Sequence, residues 1–237
     1  MDIDIRKIEW DSAFFNMKVY SIPSNISADE LKSAVNILEQ HEATLAYYSC
    51  SHPLKKHEVI FDKYEFKLVD KKITYKKLPI RDIHLNASVS PYNADYPDEK
   101  LFELAIQSGI YSRFNIDKKI GKLNFEKLYN QWIINSVNKT FAEEVLVYNI
   151  DNSIVGFVTL GIKTSIGQIG IMSVDSQYRG IGIGRALITA AERWFSIHNY
   201  SGIQVITQGD NTAACRLYER CGFSKGNVEY FYHVWKK

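Results

Sequence analysis

The stretch Ser173-Val-Asp-Ser-Gln-Tyr-Arg-Gly-Ile-Gly-Ile-Gly-Arg185 decides how this chain of 237 residues is read. Ahead of it, Gln168–Val174 has the composition of a strand. Behind it, Ile183, Leu187, Ala190, Trp194 and Ile197 step by four, three, four and three, which predicts a helix with one apolar face. A strand thus enters a tight loop carrying Gly180, Gly182 and Gly184, and a helix starts at once. In such a turn the first helical N–H groups have no intrahelical partner and converge on one point, where the helix dipole favours negative charge. Any Cβ in the loop would hold a phosphate away from the backbone, hence the glycines. The pattern predicts a phosphate or diphosphate ligand without saying whose.

Three ligand classes compete for the loop. A nucleoside-triphosphate loop needs GxxxxGK[ST], and here Arg185-Ala186 replaces Lys-Ser/Thr. A dinucleotide turn needs GxGxxG and an acid closing the next strand. This chain has GxGxG, and the next strand, Gly202–Gln208, ends in Gln208. The third pattern, Arg/Gln-x-x-Gly-x-Gly/Ala, is met by Arg179, Gly182 and Gly184. For the loop alone, a glycine-rich turn that binds nothing stays open.

After the next strand comes Asn211-Thr-Ala-Ala-Cys-Arg-Leu-Tyr218-Glu-Arg-Cys-Gly222-Phe223. Asn211 sits at a helix cap position, and Tyr218 follows about two turns later on the same side. Gly222-Phe223 reads as a helix stop and a core aromatic. Tyr218 alone would be read as core packing. Taken together, the loop and N-x-x-A-x-x-x-Y-x-x-x-G-F resemble the GNAT N-acetyltransferases, over residues 168–223. The resemblance implies an α/β (α+β) fold, with a mixed, mostly antiparallel sheet flanked by helices. It also implies acetyl-CoA as cosubstrate and no metal. Backbone N–H groups around Met172, Ser173 and Val174 would face the acetyl carbonyl, where two strands splay apart. Arg179, Gly180, Ile181, Gly182, Ile183, Gly184 and Arg185 would hold the diphosphate. Asn211 and Ala214 would flank the pantetheine arm, and Tyr218 would be the general acid.

Three further segments extend the match: Trp10-Asp-Ser-Ala-Phe-Phe15, Ser112-Arg-Phe114, and Tyr129-x-Gln-Trp-Ile-x-Asn-x-Val137-x-x-Thr-Phe141. They are similar to the dTDP-fucosamine acetyltransferases, which N-acetylate a nucleotide-linked 4-amino-4,6-dideoxy sugar and carry a smaller α/β domain ahead of the GNAT domain. The expected acceptor is therefore a small-molecule amine on a nucleotide sugar, with Arg113 gripping its diphosphate in bidentate fashion. Two alternatives stay open: another amine (aminoglycoside, polyamine or protein N-terminus), or a module that binds acyl-CoA without catalysis.

Acyl transfer to an amine needs a neutral nucleophile and a protonated leaving thiol. A phenol with an unperturbed pKa near ~10 stays protonated at neutral pH, yet can yield its proton to a thiolate whose acid has a pKa of ~8.5. For the base, only sequence neighbourhood points to Asp175 and Glu229. A water chain would serve as well and leave no residue trace.

The bulk numbers exclude little beyond this. A net charge of +2 gives no basis for nucleic-acid binding, and 46% hydrophobic with 24% charged residues is an ordinary globular balance. Cys50, Cys215 and Cys221 form no CxxC pair, and His41, His52, His57, His84, His198 and His233 show no metal-ligand spacing. With no basic-then-apolar start and no run near ~18 apolar residues, a soluble cytoplasmic protein is expected.

Ser27-Ala-Asp-Glu30 predicts a capped helix carrying Leu31, Ala34, Val35 and Leu38 on one face, followed by strands at Thr44–Cys50 and Lys67–Lys76. The proline-rich Leu78–Pro97 reads as a connector. This gives a smaller α/β domain over 1–85, then a GNAT domain over 86–237 with element order α α β β β α β α β. The first block reads either as a degenerate half-copy of the second or as an unrelated α/β stretch. It would form a wall of the acceptor site or the surface of a homodimer. Ser112–Lys122 is expected as a polar loop, and a long helix after Asn124.

Overall fold

The computed structural model describes residues 3–55, 61–78, 88–163 and 166–237. In chain order the first elements are β1 (Arg6–Lys7), α1 (Glu9–Phe15), β2 (Val19–Ser21), α2 (Ala28–Gln40), β3 (Leu45–Cys50), β4 (Tyr64–Lys77) and β5 (Val89–Pro91). Then follow α3 (Glu99–Ser108), α4 (Arg113–Ile116), α5 (Lys122–Val137), β6 (Glu144–Ile150), β7 (Ser153–Lys163) and β8 (Ile166–Val174). The last are α6 (Ile183–Ile197), β9 (Ile203–Gln208), α7 (Thr212–Arg220) and β10 (Ser224–Lys236). They form two compact units, Met1–Lys72 with Val228–Lys237, and Ile73–Asn227. The boundary expected at residue 85 lies outside the described residues, as do His57, Pro79 and His84.

In the first unit the strand order is β1-β2-β3-β10-β4. β2 runs parallel to β3, while β10 runs antiparallel to it from Leu45↔Trp235 to Cys50↔Tyr230. Every residue of β3 is buried. α2 starts as its sequence predicts: the Ser27 hydroxyl accepts from Glu30 N–H at 3.3 Å, and the Glu30 carboxylate accepts from Ser27 N–H at 2.8 Å. That cap leaves the stripe Leu31, Ala34, Val35 and Leu38 to pack on Tyr48, Tyr64, Tyr232 and Val234.

In the second unit the order is β4-β9-β8-β7-β6-β5. β5 to β8 are antiparallel neighbours, and β8 and β9 are parallel. Asp151 and Asn152 turn between β6 and β7 with φ of +48° and +62°, the left-handed pair that a two-residue hairpin needs. Leu101, Leu104 and Ala105 of α3 share a core with Ile133 and Val137 of α5 and with Val145, Val147 and Phe157 of the sheet.

The structure corrects three local expectations. Ser112–Lys122 is not all loop, since α4 occupies Arg113–Ile116 and buries Phe114. α5 begins at Lys122, after Gly121, whose carbonyl accepts the first intrahelical bond from Phe125 N–H (3.1 Å). Asn124 therefore lies within its first turn, its side-chain amide donating to the Ile120 carbonyl (2.8 Å). On α6 Ile183, Leu187 and Ala190 are buried as expected, but the buried face continues through Ile188, Ala191 and Phe195, while Ile197 is exposed. Trp194 instead stacks on His198, with ring centroids 4.0 Å apart. Glu192 is buried on that helix and paired with Lys77 (2.6 Å). Among the described residues no helix is long and apolar enough to cross a membrane.

Candidate active site

Where β8 meets β9, pairing runs only from Gly167↔Ile203 to Ile169↔Val205. The β7–β8 register shifts between Val158 and Leu160. At that point buried Thr159 replaces a backbone acceptor, its hydroxyl taking the Ile171 N–H at 2.8 Å. A bulge of this kind bends a strand and ends its pairing. Beyond it, Met172, Ser173 and Val174 line a cavity of about 620 Å³.

The loop after β8 forms a second side. Gly182 is the N-cap of α6 at φ +96° and has no side chain to offer the helix, whose first internal bond runs from Ala186 N–H to the Gly182 carbonyl (3.0 Å). The N–H groups of Ile183, Gly184 and Arg185 therefore have no intrahelical acceptor. A Cβ on Gly180 or Gly182 would meet nothing within 4 Å, so the space over the loop is open to a ligand. Gly184 serves another purpose: a Cβ there would sit 3.0 Å from Leu217, so its lack lets α6 approach α7. Gly182→Ala should cost about 1–2 kcal/mol in backbone strain. It should also weaken coenzyme A binding at least about tenfold by placing a methyl where phosphate oxygens approach the amides. Titration calorimetry beside a denaturation curve measures both.

α7 supplies a third side with Asn211, Ala214 and Tyr218. The Asn211 carbonyl oxygen accepts from Ala214 N–H at 3.1 Å and caps the helix, leaving its NH2 as donor. Tyr218 is buried, its ring 5.9 Å from that of Tyr75 and 5.9 Å from that of Phe223. Tyr75 in turn donates its hydroxyl to Glu219 (2.8 Å), fixing the turn that carries Tyr218. Desolvation, with the Cys215 and Cys221 thiols nearby, pushes the Tyr218 phenol well above the ordinary tyrosine range. A phenol so shifted is protonated at neutral pH.

The cavity thus gathers every residue that the sequence nominated for the cofactor and for the general acid except Ile181, which is exposed. Arg113, whose guanidinium lies over the Phe114 ring on α4 (4.4 Å), is not among its lining residues, nor are Asp175 and Glu229. The cavity also takes in Gln107, Ser108, Ile110 and Tyr111 from the end of α3, and Ala213, Leu217 and Arg220 from α7. Gln107 carries no motif, yet its amide donates to the Ser173 hydroxyl and the Val174 carbonyl, both at 2.8 Å. Arg179 donates to the same carbonyl at 3.1 Å. Asp175 proves to be a brace: one oxygen caps Gln177 N–H (3.0 Å) and the other meets Lys100 (2.6 Å). Those contacts, Lys100 foremost, hold its carboxyl below the usual range, which suits an anchor and not a base. Glu229 is exposed and belongs to the first unit. Among the described residues no group of three or more His, Cys, Asp or Glu could hold a metal ion.

Comparison with known proteins bears on the fold and the family. The Escherichia coli streptothricin acetyltransferase is 34% identical over 83 residues, 35% of this chain and 48% of that protein. The dTDP-fucosamine acetyltransferase of Escherichia coli O6:H1 is 27% identical over 156 residues, 65% of this chain and 66% of that protein. Both matches span less than two thirds of the relative's own length. A GCN5-related N-acetyltransferase from Kribbella flavida superposes with a TM-score of 0.54 at 11% identity, over 92% of this chain and 80% of that one, so the fold is shared. Residues 100–223, just over half of the sequence, match the model of the acetyltransferase (GNAT) family, and the chain belongs to that family.

Proposed function

We propose that this protein transfers an acetyl group from acetyl-CoA to a primary amine, and that the amine belongs to a nucleotide-linked dideoxy amino sugar in the cytoplasm. One observation carries the reading: the open row of amides at the start of α6 and the buried, protonated Tyr218 line the same cavity. Acetyl-CoA, when bound, supplies an activated acyl carbon and a thiol leaving group. The cavity fits it in its open glycine loop, its amide donors and its three guanidinium groups, Arg179, Arg185 and Arg220.

The roles follow from position. The amides of Ile183, Gly184 and Arg185 grip diphosphate oxygens, and the Asn211 NH2 donates to the pantetheine arm. Backbone N–H groups at Met172–Val174 lie at the bulged end of β8, where they stabilise charge on the acetyl oxygen. Tyr218 gives its proton to the departing thiolate.

For the acceptor, the segments Trp10–Phe15, Ser112–Phe114 and Tyr129–Phe141 favour a sugar nucleotide. The match to dTDP-fucosamine acetyltransferase, over 65% of the chain, supports the same class. The test is thiol release from acetyl-CoA with a dTDP-4-amino-4,6-dideoxyhexose, an aminoglycoside, a polyamine and a peptide with a free N-terminus. Turnover confined to the sugar nucleotide is expected. Turnover confined to the polycations or the peptide would overturn the acceptor assignment, and none with any amine would overturn catalysis.

A further inference from the structure

Arg185 and Arg220 line the cavity from two helices, Arg185 in the first turn of α6 and Arg220 in the last turn of α7. Arg185 donates Nη2 to the Arg220 carbonyl at 3.3 Å, which holds its guanidinium at the turn that carries the second arginine. Both residues line the cavity, and no carboxylate is among the described residues lining it. Two cations facing one space without a carboxylate favour an anionic ligand there.

The start of α6 offers something different: N–H donors and about half a unit of positive charge. That suits the oxygens of an internal diphosphate, whose phosphorus centres carry one negative charge each. A guanidinium pair suits a terminal phosphomonoester, which carries about −1.5 to −2 near neutral pH and accepts bidentate forks. Coenzyme A contains both groups. We propose that Arg185 and Arg220 form a subsite for the ribose 3′-phosphate, making the protein selective for coenzyme A over its dephospho form. This rests on the cavity being a coenzyme A site, as argued above.

Titration calorimetry with coenzyme A and dephospho-coenzyme A tests it. The parent protein should bind coenzyme A at least about tenfold more tightly, with the steeper loss of affinity on adding salt. Arg220→Gln should bring coenzyme A down to the affinity of the dephospho form and leave the latter unchanged, and Arg185→Gln should narrow the ratio in the same direction. Equal affinities for the two ligands in the parent, or Arg220→Gln weakening both by one factor, would sink the subsite while leaving the acetyltransferase reading intact. Binding of neither ligand would remove both. If a variant does not fold, the ratio and salt dependence of the parent still decide.

Discussion

Tyr218→Phe is expected to lower kcat by about 10²–10⁴ while coenzyme A affinity stays within about twofold of the parent. The ring remains between Tyr75 and Phe223, so packing survives and only the proton is lost. The pH profile provides an independent check. A general acid works in its protonated form, so activity is lost as pH rises through its folded pKa. Burial has raised that pKa above the ordinary 10.0, so Tyr218 should impose no alkaline loss of kcat at or below pH 10. Turnover of Tyr218→Phe within threefold of the parent would show that water, and not the phenol, protonates the thiolate.

Lys77→Met should have the largest effect on stability. Lys77 meets Glu192 at 2.6 Å and the Cys221 carbonyl at 2.6 Å, with 13% and 5% of the two charged side chains exposed. Removing the cation strands a carboxylate in the interior, at a cost of about 3–5 kcal/mol. Desolvation already raises the Glu192 pKa, and Lys77 opposes that shift, so losing Lys77 raises it further. A carboxyl with a raised folded pKa destabilises most above that value and not at all below its unfolded one, near 4.5. The deficit should therefore be full at pH 8 and shrink towards pH 5, as measured by urea titration. Lys77→Met with Glu192→Leu should recover most of it, because neither partner is then left charged and alone. A pH-independent deficit would mean that the pair acts only by packing.

What could be read from sequence and what could not divide along a physical line. The glycine loop, the Asn211 cap and Tyr218 are each specified within one or two helical turns of chain, so their spacing survives in the text of the sequence. Gln107, Tyr111 and Arg220 reach the cavity through tertiary packing, and no local period marks them. Asp175 looked like a base because it neighbours the loop, but only the folded chain brings Lys100 to it. On α6 the step pattern followed Trp194 and Ile197 and passed over Glu192, since a charged residue looks solvated until its partner from β4 is seen. The bulge held by Thr159 had no signature, because a hydroxyl replacing a carbonyl leaves no mark in hydropathy.

The composition of the first unit bears on the order of folding. Its central strand β3 is completed by β10, so residues 45–50 wait for residues 230–235 while the whole of 73–227 intervenes. Closing so long a loop costs entropy before any contact is returned, which slows that step. During synthesis the contiguous second unit can therefore collapse first, while the amino-terminal segment emerges early and finishes late. Until then an apolar strand has one unpaired side, a stage at which a chaperone or a self-association event has its opening.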